Sequence, residues 1–104
     1  MVPTAQADIA ILERKAGEAA ELLRLIGNEN RLLILCRLIA EEELSVGDIA
    51  AAVGVSQSAL SQHLARMREQ KVVAARREGQ TIFYRIADPY ARRIVHLLKE
   101  IYCP

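Results

Sequence analysis

Apolar positions repeat at helical spacing through most of this chain. From residue 8 to 26, Ile9, Leu12, Ala16, Ala19, Leu23 and Ile26 recur every three or four positions, as on one face of an amphipathic helix. Gly27 ends that helix, and Asn28 is placed to cap a second over about 29–40, with the stripe Leu32, Leu35, Cys36 and Ile39. The acidic run Glu41–Glu43 reads as a connection. Ser45 followed by Asp48 resembles a capping box, so a short helix starts there and turns Ile49, Ala50 and Val53 inward. Gly54 stops it, because glycine tolerates a left-handed turn. Ser56 then caps a longer helix, 57–69, with Leu60, Leu64 and Met67 inward and Gln57, Ser58, Ser61 and Gln62 on its other side. Short helix, tight glycine turn and second helix make a helix-turn-helix pattern.

After residue 71 the period changes. Two β-rich runs flank Glu78-Gly79-Gln80, and Ile82, Tyr84 and Ile86 alternate with Phe83 and Arg85. This predicts a two-stranded hairpin with Gly79 at its tip. Asp88-Pro89 opens a last helix, aspartate as cap and proline in the first turn, with the stripe Ile94, Leu97, Leu98 and Ile101. The expected fold is mainly α with a β-hairpin wing: five helices and two strands in one domain, 1–104.

At 104 residues that domain is thin, and helical chains of this size often gain core by pairing with a copy of themselves. A composition of 52% hydrophobic and 26% charged residues is that of a globular rather than a disordered chain. No apolar run approaches the ~20 residues that span a bilayer. The N-terminus lacks the basic region and apolar core of a secretory signal, so the expected location is the cytoplasm. A net charge of +1 says little about partners, but its distribution says more. Residues 1–50 hold nine acids and five bases, whereas residues 66–93 hold eight bases and three acids. Such polarity either presents a basic surface to a partner or is simply a solvated face.

The second helix of the motif carries chemistry suited to a major groove. Gln57 and Gln62 offer donor and acceptor together to a base edge, and Ser58 and Ser61 can bond bases or phosphates. Ser56 and the free NH groups at the helix start suit phosphate oxygens. Arg66, Arg68, Arg76 and Arg77 would supply further phosphate contacts, and Arg77 and Gln80 near the hairpin tip would reach the adjacent minor groove. A packing unit with no DNA role is the other reading of the motif. His63 lies close to the inward stripe and reads as structural.

The segment "GVSQSALSQHLARMREQKVVAARREGQTIFYRI" resembles the ArsR/SmtB winged-helix repressors. The resemblance covers essentially the whole chain. It implies a homodimer formed by the first and last helices, double-stranded DNA as partner, and release from a promoter when an inducer is sensed. A two-fold dimer would set its recognition helices ~34 Å apart on an inverted-repeat operator.

Many members of that family sense metals. Where metal-sensing members carry "ELCVCDL", this chain has "ELSVGDI", so Ser45 and Gly47 replace the thiolates. On the last helix the zinc pattern is Asp-x-His, then His-x-x-Glu. Here Tyr90 replaces the first histidine, and Glu100 lies four rather than three after His96. Asp88 and His96 are too few for a tight site, so no metal and no cofactor is expected.

Two cysteines remain, Cys36 and Cys103. From the residues alone they are either unrelated, one a small core residue and one in the tail, or a working pair. "LILCRL" and "IYCP" resemble the dithiol persulfide sensors of the SqrR/BigR/YgaV type. That likeness implies that Cys36 and Cys103 are the sensing thiols. It also implies low-molecular-weight persulfides or polysulfides as inducers and a disulfide or polysulfide bridge that weakens operator binding. A direct disulfide needs Cα atoms within ~7 Å, so a wider gap would favour a polysulfide chain over peroxide-driven closure. A metal- or metalloid-responsive repressor using the same cysteines is the alternative. An enzyme is not expected, because no aspartate–histidine arrangement or cofactor loop is present. An anti-silencer that displaces another DNA binder keeps the same chemistry.

Overall fold

The computed structural model describes residues 5–103. The first predicted helix forms as two consecutive ones, α1 (Ala5–Arg14) and α2 (Ala16–Ile26). At Lys15 the backbone N–H is shared between the carbonyls of Ile11 at 3.1 Å and Leu12 at 3.0 Å, which tightens one turn without ending the hydrogen bonding. Asn28 caps α3 (Glu29–Glu41) as expected, its side chain accepting from the Arg31 N–H at 3.1 Å. Glu42 then turns the chain with φ 66° and ψ −47°, while the Glu43 N–H donates to the Glu41 carbonyl at 2.7 Å. That is a γ-turn on a residue with positive φ, an uncommon and strained conformation.

A two-residue strand follows, β1 (Leu44–Ser45), which the sequence pattern did not predict. Ser45 caps α4 (Val46–Val53), Gly54 closes it with φ 77°, and Ser56 caps α5 (Gln57–Glu69). The helix-turn-helix therefore stands where expected. The hairpin is β2 (Val73–Glu78) and β3 (Thr81–Ile86), in register from Val73 with Ile86 to Glu78 with Thr81. Gly79 leads the two-residue loop with φ 62°, where a tight hairpin turn demands a left-handed first residue. β1 adds to the other edge of β3, so the sheet is three-stranded in the order β1-β3-β2. Asp88 caps α6 (Pro89–Tyr102), accepting from the Tyr90 N–H at 2.8 Å.

The core gathers Ile34, Leu35 and Leu38 of α3, Ile49 of α4, Leu60, Leu64 and Met67 of α5, and Val72 and Val73, all essentially without solvent exposure. Two predicted faces are corrected. α3 buries Ile34 rather than Cys36, which is exposed beside the buried arc. α6 buries Ala91 and Val95, while Leu97 and Ile101 of the predicted stripe are more than half exposed. Ile9, Ile11 and Leu12 of α1 and Leu23 of α2 are likewise bare. Among the described residues no helix is long and apolar enough to cross a membrane.

Candidate DNA-binding surface and dithiol pocket

The start of α5 is built by its caps. The Ser56 hydroxyl accepts the Ala59 N–H at 3.2 Å and lies 3.3 Å from the Ser58 hydroxyl, so Ser56 is largely engaged in holding the helix end. Gln57, Ser58, Ser61 and Gln62 all stand exposed on the first turns. Burying Leu60 and Leu64 on the opposite side of the helix is what turns them to solvent.

The wing lies against the same helix. A cleft of about 560 Å³ separates α5 from β3; Ser61 and Arg68 line one wall, and Gln80 and Ile82 line the other. Recognition-helix and wing residues thus share one continuous surface. Arg77 is exposed on β2 and has no ion-pair partner among the described residues. Arg66 turns to the other flank of α5.

Arg76 differs from the other arginines named for DNA contact. Glu43 holds it with two hydrogen bonds of 2.8 Å, Glu78 adds one of 2.6 Å, and its guanidinium lies 4.6 Å from the centre of the Phe83 ring. These partners raise its affinity for the proton and pull the Glu43 carboxyl below the ordinary range. Its guanidinium is therefore already occupied within the wing. Glu43 was legible only as part of an acidic connection. The signal that could have raised it is its place as the last acid of that run, immediately before a strand that has to pair with the basic hairpin.

His63 is half-buried, and its Nδ1 accepts from the Arg31 Nε at 3.3 Å. Burial, then Arg31, then Arg66 hold its pKa below the usual histidine value, so the neutral ring is the acceptor. This is a structural position between α3 and α5.

The thiols meet elsewhere. α3 and α6 enclose an apolar pocket of about 540 Å³, walled by Leu32, Ile39, Val95, Leu98 and Tyr102, and both Cys36 and Cys103 line it. Both are free cysteines. The two are near enough to interact: burial first, and then Cys103, push the Cys36 thiol above its ordinary pKa. His96 and Lys99 share the lining. Their spacing before Cys103, seven and four residues on one helix, is the signal that would have placed them there. Among the described residues no three His, Cys, Asp or Glu side chains converge as a metal site.

The sequence profile of the bacterial regulatory proteins of the arsR family matches residues 28–75, which run from the Asn28 cap through the recognition helix into the wing. The transcriptional activator HlyU of Vibrio cholerae is 42% identical over 92 residues, covering 88% of this chain and 84% of that protein. The chain belongs to the ArsR family. A second relative, the HTH-type transcriptional regulator YgaV of Escherichia coli, is 40% identical over 97 residues, covering 93% of this chain and 98% of its own. Among solved structures, the transcriptional repressor BigR of Xylella fastidiosa superposes with a TM-score of 0.83 at 37% identity, over 91% of this chain and 96% of that one. The family profile thus spans α3 to the start of β2, and these relatives are named as regulators of transcription.

Proposed function

We propose that this ArsR protein is a cytoplasmic, homodimeric repressor that leaves its operator when Cys36 and Cys103 are bridged by reactive sulfur. The observation that carries this reading is the shared apolar pocket: two free thiols, Cys36 of α3 and Cys103 at the cap that ends α6, line one cavity. Dimerisation is supported by the bare apolar residues of α1, α2 and α6, which one chain leaves uncovered. DNA reading is assigned to Gln57, Ser58, Ser61 and Gln62, with Arg66, Arg77 and Gln80 around them and Ser56 and Arg76 holding the frame.

The chemistry is thiol exchange. One cysteine thiolate attacks the outer sulfur of a persulfide RSSH; the S–S bond breaks, RSH leaves, and the cysteine becomes a persulfide. Attack by the second thiol on that cysteine's own sulfur expels hydrogen sulfide and leaves a disulfide. If a second RSSH first lengthens the chain, with loss of a second RSH, attack by the other thiol on the middle sulfur breaks the outer S–S bond, expels hydrogen sulfide and leaves a trisulfide. Either bridge ties α3 to α6 and so couples the thiols to the geometry of the dimer. A coupling of 1–3 kcal/mol would weaken DNA binding ~5–150-fold.

Intact-protein mass after treatment with glutathione persulfide tests it, with free thiols alkylated afterwards. Both cysteines blocked, with a mass gain of zero, one or more whole sulfur atoms beyond the loss of two hydrogens, is the expected result. Independent modification of each thiol would sink the bridge. Tight zinc or arsenite binding that disappears in Cys36→Ser or Cys103→Ser would move the assignment to a metal or metalloid sensor.

A further inference from the structure

We infer that Arg24, Arg31 and Arg66 form a phosphate-binding ledge on the flank of the recognition helix opposite the wing, and that it holds the backbone of duplex DNA. The three side chains come from α2, α3 and α5 and line one depression of about 290 Å³ with Glu21, Leu25 and Gln70. Three guanidiniums therefore face one carboxylate. None of the three makes an ion pair among the described residues, whereas Arg76 and Arg92 both do.

The ledge is oriented in advance. Arg31 donates to the Leu25 carbonyl at 3.2 Å and to the His63 Nδ1 at 3.3 Å. Two of its five N–H donors are thus used for positioning, and the rest remain for an acceptor. Burial first, and then the charge of nearby Arg66, lower the Arg31 pKa. Three like charges beside a single carboxylate leave an excess of positive charge that an incoming anion can offset. A planar guanidinium is well matched to a phosphate.

Position names the source of that phosphate. α5 reads a groove ~12 Å wide that is bordered by a phosphate chain on each side. Arg68 and Gln80 lie on its wing side. The ledge lies on its other side and so serves the opposite strand. This inference rests on the DNA-binding reading above.

The test is the salt dependence of binding to a short fluorescent duplex of mixed sequence, followed by anisotropy. Arg24→Gln and Arg66→Gln are each expected to lower the slope of log K against log [NaCl] by ~0.9 per protomer, ~1.8 for the homodimer, and the double variant by about twice that. Arg24→Lys, which keeps the charge, should keep the slope. Arg24 is exposed, so Arg24→Gln carries the test even if Arg66→Gln lowers stability. Wild-type slopes in Arg24→Gln and Arg66→Gln, beside a lowered slope in Arg77→Gln, would overturn the ledge and leave DNA binding intact. A wild-type protein without affinity for the duplex would overturn both. Unchanged slopes, with inorganic phosphate raising the Tm of wild type but not of Arg24→Gln, would assign the ledge to a free anion and overturn its role on DNA.

Discussion

Arg76 and Glu43 face each other fork to fork: Nε donates to Oε2 and Nη2 to Oε1, both at 2.8 Å, across 33 positions of sequence. The pair ties the wing to the turn between α3 and β1. Glu78 holds the same guanidinium from within β2, and Phe83 lies beneath it. Bidentate geometry and a shared network lift this pair above an ordinary surface contact, although both partners remain partly open to water.

Arg76→Ala should therefore loosen the wing rather than remove a phosphate contact. Glu43→Gln should do the same, and both variants should speed amide hydrogen exchange along β2. A scaffold role leaves the salt slope of DNA binding near wild type, whereas loss of a phosphate contact lowers it by ~0.9 per protomer. The pH dependence has a definite sign. The Glu43 carboxyl sits below its ordinary value because Arg76 donates to it. Its contribution is present above the unfolded value of ~4.3 and is lost as pH falls through the lower folded value. Exchange in β2 that rises already at neutral pH, or that ignores Glu43→Gln, would contradict the clamp.

Much of this fold was legible because its signals are local. Asn28, Ser45, Ser56 and Asp88 each cap a helix through a hydrogen bond that closes within three residues. Gly54 and Gly79 take the positive φ that their turns require. What escaped depends on distant partners. β1 exists only because Leu44 and Ser45 find Tyr84 and Phe83. Periodicity showed that α3 and α6 have apolar faces, but not which arc meets the chain's own core. Cys36 and Leu97 fell on the open side of that division. The thiol pair itself could not be read from spacing, since its pocket exists only where α3 meets α6.

On the recognition helix, Ser61→Ala with Gln62→Ala should separate base reading from backbone attraction. Both residues are exposed, and neither belongs to the core. The double variant should keep the wild-type Tm and the wild-type salt slope on mixed-sequence DNA. Its affinity for an operator obtained by selection should fall by 1–3 kcal/mol, roughly 5–150-fold, the scale of one lost bidentate base contact. Undiminished operator affinity would mean that other side chains read the groove.

The end of α5 carries a built-in strain that can be relieved. The Val72 N–H donates to the Met67 carbonyl at 2.8 Å and the Lys71 N–H to the Arg68 carbonyl at 2.9 Å, the double bond pattern of a Schellman cap. Its left-handed position is held by Lys71, with φ 62°, where glycine is the usual residue. The left-handed cost of ~1–2 kcal/mol is partly offset by the larger unfolded-state entropy that glycine brings. Lys71→Gly should therefore stabilise by up to about 1 kcal/mol and raise the Tm by roughly 4–8 °C. Lys71→Ala retains the side-chain clash and should not. Equal Tm values for the two variants would show that the turn is unstrained.

The thiol pocket makes its own prediction about rate. Cys36 stands at the rim, exposed but set against apolar walls, and its pKa is raised by that partial burial first and by Cys103 second. A raised thiol pKa means less thiolate at neutral pH, so Cys36 should be a slow nucleophile there. The alkylation rate of Cys36 by a neutral reagent should rise with pH through a midpoint above the ~8.5 of a free cysteine. Cys103→Ser removes the second cause and leaves the first, since serine carries no charge in this range. The midpoint should then move part of the way down. A midpoint at or below that of free cysteine would contradict the burial of Cys36, and one that Cys103→Ser leaves in place would mean that the two sulfurs do not sense each other. The bridge between α3 and α6 would then lack the proximity on which it depends.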